Sequence, residues 1–327
     1  MRVWTHDRSS FPLPEGHKFP LGKYVLLRER LEAEGHEALT APPVAWEDLA
    51  RVHDTPLLER IRSGTLSVRE QRGLGLPWSA QLVERGRRSS QGTVLAAHEA
   101  LRCGVAMNLG GGTHHAGRAF ARGFCLFNDV ALALDALRRS GLARRAVVVD
   151  CDVHQGDGTA DFLGPDPDAF CLSLHGARNY PFKRIPSDLD VDVTSGTGDA
   201  GYLAALGPAL ETALAAGPFD VAFYLAGADP WEGDRLGRLS LSKAGLRARD
   251  AFVLDRLRAA ELPVCVVLAG GYAPDLRDTV DINAATAAEV AARVNGNHSV
   301  PTPRVREVEP AGIEPATSCL QSRRSPS

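Results

Sequence analysis

The chain has 327 residues, 44% of them hydrophobic and 24% charged, with a net charge of −3. That is ordinary globular composition, enough for a large α/β domain, and it excludes a bulk electrostatic pull toward nucleic acid. No apolar run is long enough to span a bilayer and the start, Met1-Arg2-Val3-Trp4-Thr5, has no signal-like apolar stretch, so a soluble, cytoplasmic protein with no membrane partner is expected.

Arg2 to His6 reads as a short edge strand, followed by a Pro- and Gly-bearing loop through His17. Helical spacing of Tyr24, Leu27 and Leu31 predicts a helix over Leu21 to Glu34. Trp46 to Ser63 reads as two short helices containing His53. Both histidines are expected at the surface rather than on a pocket rim. Gly73 to Ser90 reads as a loop with one helical piece, and Thr93 to Leu101 as a helix. Strands are expected at Val105 to Leu109, through Val147-Val148-Val149, and at Ala169 to Leu174, Phe219 to Leu225 and Pro263 to Leu268. Between and after them, helices are expected at Asp129 to Leu137, Tyr202 to Ala215, Lys243 to Ala259 and Asp275 to Arg293. Strands alternating with helices predict a doubly wound, mostly parallel sheet flanked by helices. Residues 1–295 read as a single domain. Residues 296–327 are rich in Pro, Ser and Arg, and read as a disordered tail or read-through sequence. The six cysteines form no C-x-x-C pair, so neither a disulfide framework nor a cysteine zinc site is expected.

The chemistry gathers at predicted strand ends, where ligands bind in open α/β sheets. After the central strand come Asp150, Asp152, His154 and Asp157 within eight residues. In extended chain Asp150, Asp152 and His154 point to one face, and Gly156 and Gly158 release the chain into a turn. Other strand ends supply His114-His115, Asp229 and Tyr272, each beside glycines. Asp229 alone would pass for a helix cap. With Asp152 and His154 it completes an oxygen-rich ligand set that leaves a metal electrophilic. Binuclear ureohydrolases need a second carboxylate two residues after the His; Gly156 stands there, so one metal is favoured.

In combination and in order, these motifs resemble the histone deacetylase family. The resemblance rests on Gly-Gly-x-His-His-Ala and Gly-Phe-Cys-x-x-Asn-Asp-Val between Asn108 and Val130, and on Asp-x-Asp-x-His-x-Gly-Asp-Gly from Asp150. Ser173-Leu174-His175, Ala226-Gly227-Ala228-Asp229 and Gly270-Gly271-Tyr272 complete it. The segment Asp229 to Ser240 is most similar to class IV, and the arginine-rich chain looks bacterial. The resemblance implies an arginase/deacetylase-like fold. It also implies one zinc on Asp152, His154 and Asp229, where ferrous iron would be accepted too. Asp150 would orient His114 and Asp157 would orient His115. His115 would act as general base on a metal-activated water and Tyr272 would stabilise the oxyanion. Gly123, Phe124 and Leu236 would contact substrate. A K⁺ or Na⁺ would sit at Asp150, Asp152, His154, Ser173 and Leu174. The implied substrate is an acyl-lysine protein carrying an acetyl or long-chain acyl group. The rivals are an acetylpolyamine or another small acylated amine, and a scaffold that binds acyl-lysine without turnover. Polyamine specificity would call for acids at the mouth, with Glu15, Glu232 and Asp234 as candidates. The second aromatic wall, near Asn179 and Tyr180, does not follow the family's pattern.

Overall fold

The computed structural model describes residues 1–294; the expected tail and Cys319 lie outside the described residues. The elements run β1 (Arg2–Thr5), α1 (Gly22–Ala33), β2 (Glu37–Thr40), α2 (Trp46–Val52), α3 (Thr55–Ser63), α4 (Val68–Leu74), α5 (Ala80–Cys103) and β3 (Val105–Asn108). They continue with α6 (Asp129–Arg139), β4 (Ala146–Asp150), α7 (Asp157–Leu163), β5 (Ala169–Gly176), β6 (Leu189–Val193) and α8 (Asp199–Ala215). The last are β7 (Val221–Leu225), α9 (Lys243–Ala259), β8 (Val264–Val267) and α10 (Leu276–Val294).

Eight parallel strands form one sheet in the order β2-β1-β3-β8-β7-β4-β5-β6. β1 is therefore not the edge; β2 pairs outside it. The central strands are buried on both faces, and their side chains alternate between two cores. Val148, Phe223 and Cys265 enter the core with α5 and α6. Val147, Val149, Ala222 and Tyr224 enter the core with α8, α9 and α10. This is why the strands read as continuous apolar runs.

Register fixes where the functional loops begin. Asn108 pairs with Val267, Val267 with Leu225, Leu225 with Asp150, and Asp150 with Ser173. One row across five strands thus ends at a common level. The loops carrying His114-His115, Tyr272, Asp229 and Asp152/His154 all leave the sheet from that row.

Three helical segments differ from expectation. α5 is one helix of 24 residues, capped by Ser79, whose side chain accepts from Leu82 N–H. Its buried face is largely Ser89, Ser90, Gly92, Thr93, Ala96 and Ala97, so the hydrophobic period is faint. α4 falls mostly between the stretches Trp46 to Ser63 and Gly73 to Ser90, where no element is expected. Ser67 and Glu70 form a reciprocal cap at its start, and Gly75, at φ 72°, ends it. The expected turn after His154 is instead the start of α7: Gly156 has φ −77° and Gly158 is helical.

Candidate metal centre and catalytic cavity

Asp152, His154 and Asp229 bring ligand atoms within 4.8 Å of one another, all three side chains buried. Strand alternation does not align them, because β4 ends at Asp150. Side chain-to-backbone turns do so instead. Asp150 Oδ1 accepts from Asp152 N–H at 3.0 Å, and Asp152 Oδ1 accepts from His154 N–H at 2.9 Å. Asp229 caps no helix; its Oδ1 accepts from Val153 N–H at 2.9 Å, stitching the β7 loop to the β4 loop. Buried Arg249 ties both loops from behind, donating to Gly227 O at 2.7 Å and Cys151 O at 3.2 Å.

The donor set fits a divalent cation. Asp229 Oδ2 is buried without a hydrogen-bond partner and faces His154 Nδ1 at 3.2 Å. Burial pushes the Asp229 carboxyl up to about 7, with Asp152 adding to the shift. Against burial, Asp152 and Asp229 raise His154 to about 10. Two buried carboxylates around one imidazole are an excess of negative charge that calls for a cation. Gly270 leaves room beside them, since a Cβ there would collide with Asp229 Oδ2 and Asp152 Oδ2. Its N–H donates to Asp152 Oδ2 at 2.7 Å.

The tandem histidines sit on a loop held by two neighbouring helices. Asp129, heading α6, accepts from Gly112 N–H at 2.9 Å and Thr113 N–H at 2.8 Å. In α7, Thr159 N–H, a first-turn donor with no partner in its own helix, donates to His114 O at 2.9 Å. His114 Nδ1 lies 2.7 Å from Asp150 Oδ2, and His115 Nδ1 lies 2.5 Å from Asp157 Oδ1. Those are the partners the family resemblance implies. The other Asp157 oxygen pairs with Arg122. Burial opposes charge on both imidazoles. Asp150 and Asp152 overcome it and raise His114 to about 9. His115 stays well below the ordinary range, through burial and then the charges of His114 and His154.

A cavity of about 510 Å³ reaches this centre. Its walls include His114, His115, Asp152, His154, Gly123, Phe124, Leu236 and Tyr272, while Asp150, Asp157 and Asp229 stand behind them. Phe124 has φ 66°, strained for a side chain, and Gly123 has φ 56°. Two backbone bonds from the C-terminal end of α4 hold them: Gly123 N–H to Gly73 O at 3.0 Å and Phe124 N–H to Leu74 O at 2.8 Å. Tyr180 also lines the cavity, its ring centroid 4.9 Å from that of His115. Tyr180 was not among the residues singled out as site residues; only its nearness to the family's aromatic position pointed to it. Asp234 accepts from Tyr272 N–H at 2.6 Å and from Leu236 N–H at 2.8 Å, so it braces two cavity residues. Burial, then Asp152 and Asp229, push the Tyr272 hydroxyl well up, so it remains a donor. Ser173 and Leu174 lie in β5 beside Asp150.

His53 is buried, contrary to expectation. Its Nδ1 donates to Gly117 O and its Nε2 accepts from Asn128 N–H, both at 3.0 Å, bracing the loops under the cavity. His17 is part-buried and packs on Phe124, with ring centroids 6.1 Å apart.

A family model described as "Histone deacetylase domain" matches residues 17–288. The chain is 42% identical over 284 residues to an uncharacterized protein of Picosynechococcus sp., covering 85% of this chain and 94% of that one. It is 31% identical over 281 residues to "Histone deacetylase 2" of Arabidopsis thaliana, covering 82% of this chain and 73% of that one. Among solved structures, an acetylpolyamine aminohydrolase from Burkholderia pseudomallei matches with TM-score 0.74 at 22% identity, over 90% of this chain and 99% of that chain. A histone deacetylase homologue complexed with SAHA matches with TM-score 0.73 at 23% identity, over 90% and 87% of the two chains. The fold is that of the arginase/deacetylase proteins. With a family model spanning nearly all the described residues, this chain belongs to the histone deacetylase family.

Proposed function

We propose that this deacetylase-family amidohydrolase removes the acyl group from acyl-lysine, using zinc held by Asp152, His154 and Asp229. The observation that carries the reading is the convergence of His114, His115, His154, Asp152 and Tyr272 on one cavity with Phe124 and Tyr180 in its walls. Such a slot suits a flat amide on an alkyl stem. Bound there, a divalent cation supplies Lewis acidity, polarising the amide carbonyl and acidifying water.

The remaining work falls to the chain's own residues. The His115–Asp157 bond fixes Nδ1 as the donor and leaves Nε2 as a base. His115 takes a proton from water as the water oxygen bonds to the carbonyl carbon. Tyr272 donates its hydroxyl to the developing oxyanion, where one such donor is worth about 3–4 kcal/mol. His114, protonated against Asp150, adds positive charge beside the same oxygen. The C–N bond then breaks as the proton on His115 passes to the leaving nitrogen. The products are a carboxylic acid and a free lysine amine. Gly123 offers its carbonyl to the substrate amide, and Leu236 borders the entrance. Asp150, opposite Ser173 in the register, supports a K⁺ or Na⁺ site with Asp152, His154 and Leu174. Residues 1–295 act as one catalytic domain, and the likeness to class IV rests on Asp229 to Ser240.

The charge of the cavity favours acyl-lysine over acetylpolyamine. Arg72, Arg178 and Arg238 line it; Glu15, Glu232 and Asp234 do not. A polycation would meet like charge at the mouth. The deciding measurement is kcat/KM of the zinc-loaded protein on an acetyl-lysine peptide and on N-acetylputrescine, beside Tyr272→Phe. Peptide cleavage that is faster and lost in the variant is expected. Cleavage of acetylputrescine alone would overturn the substrate assignment, and binding of peptide without turnover would favour the scaffold reading.

A further inference from the structure

Arg85 has no role in the mechanism above, yet it lines the same cavity. It projects from α5 and is 6% exposed. Its guanidinium faces are covered by aromatic rings, with Cζ 4.5 Å from the Tyr24 centroid, 5.4 Å from Phe11 and 5.7 Å from Phe19. Its Nε and Nη2 make no hydrogen bond. Among the described residues, no carboxylate forms an ion pair with it. Asp7, the acid nearest in sequence to this corner, is already engaged by Arg28 Nε at 2.7 Å. Beside Arg85, His6 is 1% exposed, lines the cavity and leaves Nδ1 unpartnered.

A buried guanidinium with unmade hydrogen bonds is costly unless something answers it. Rings cover its faces but their π-faces cannot accept from the N–H groups at its edge, and the Tyr24 hydroxyl, which interacts with the guanidinium, is neutral and leaves Nε and Nη2 unpartnered. The partner that matches this edge is planar, anionic and bidentate, which describes a carboxylate. Its position restricts the source. Of the residues lining the cavity with Asp152 and His154, Arg178 and Arg238 are exposed and mark its mouth, whereas Arg85 and His6 are buried and mark a deep corner. A group reaching that corner while its amide lies at the cluster must extend from the carbonyl carbon, on the acyl side. A plain alkyl chain would leave the charge unanswered and remove its remaining water.

We propose that the corner built by Arg85 and His6 is a subsite for a carboxylate at the far end of the acyl group. The preferred substrates are then ω-carboxyacyl-lysines, such as malonyl, succinyl, glutaryl or adipoyl lysine. This deepens the acyl-lysine reading and rests on it. Arg85 acts as a specificity residue, and the bond broken is the same amide.

The test pairs each ω-carboxyacyl peptide with the alkanoyl peptide of equal carbon count, on the zinc-loaded wild type, Arg85→Met and Arg85→Lys. For the best chain length, kcat/KM should favour the carboxylate at least tenfold in wild type. Arg85→Met should erase that preference while keeping turnover of the alkanoyl peptide, and Arg85→Lys should retain part of it. Methionine matches the aromatic cage, so the variant should fold, and thermal melting checks this. Calorimetric binding of the free monoacids and diacids gives a readout independent of turnover. If no acyl-lysine peptide is cleaved, the proposed function fails; diacid binding that depends on Arg85 would still support the subsite. Equal turnover of carboxylate and alkanoyl partners would overturn the proposal, as would binding of short monoacids alone, which would assign the corner to the released product.

Discussion

His114 and His115 are adjacent, equally buried and each bonded to a carboxylate, yet they differ in charge. Asp150, the partner of His114, belongs to the metal loop, and Asp152 stands behind it; together they raise the imidazole to about 9 despite burial. Asp157, the partner of His115, shares its charge with Arg122. What remains for His115 is burial and the two neighbouring imidazoles, and it stays well below the ordinary range. One histidine therefore holds a proton near neutrality and the other holds a lone pair. The lesson is that the surrounding charges set the role when the first contact is the same: two carboxylates outweigh burial at His114, while two imidazoles add to burial at His115 and Arg122 adds a smaller push the same way.

The largest test of this difference is to remove one histidine at a time. His115→Ala should lower kcat by about 10²–10⁴-fold, the usual share of a general base. Bound metal, measured by elemental analysis, should stay near one equivalent. His114→Ala should retain more activity. Equal losses would make the two residues interchangeable and break the comparison. Next comes Tyr272→Phe, which should cost about 10²–10³ in kcat with KM little changed, because its hydroxyl acts on the oxyanion. A rise in KM alone would move Tyr272 from catalysis to binding.

His53 sharpens the comparison by showing burial without a carboxylate. Its partners are the backbone of Gly117 and Asn128, and burial lowers it to about 4. The folded value lies below the unfolded one, so the unfolded chain binds the extra proton. The contribution to stability is complete above about pH 6.5 and is lost as pH falls toward 4, by roughly 3 kcal/mol. Urea unfolding at pH 7 and pH 4.5 should show a steeper loss in wild type than in His53→Gln. Parallel curves would remove His53 from that slope.

How much of this could be read from the sequence follows from the same logic of partners. Val147 to Val149 announced a buried strand because parallel strands bury both faces. The histidines, acids and tyrosine were readable because each follows such a strand. β6 is hard to read although Leu189, Val191 and Val193 alternate, because aspartate is a poor strand former and this short strand lies half-exposed at the sheet edge. α5 was missed in part because small residues pack its buried face. Arg85 was invisible for a different reason. Nothing local distinguishes it from a surface arginine; only the folded cavity does. Arg122 belongs with it, as its partner lies 35 residues away in α7.

Arg122 gives the finest test. Its guanidinium also lies over the Phe120 ring, with Cζ 4.3 Å from the centroid, so the side chain is held on Asp157 from two sides. Arg122→Gln would keep the length and remove the charge. Asp157 would then interact with His115 alone, and a cation that lowers His115 would be gone. The imidazole value must therefore rise, and the acid limb of the pH profile of kcat/KM should move to higher pH. At neutral pH the loss should be small, because an imidazole held well below the ordinary range stays deprotonated there after a rise of about one unit or less. The loss should appear as the pH is lowered and vanish again as it is raised. A purely structural role would lower the rate evenly at every pH, and that outcome would return the difference between the two histidines to burial and their own neighbours.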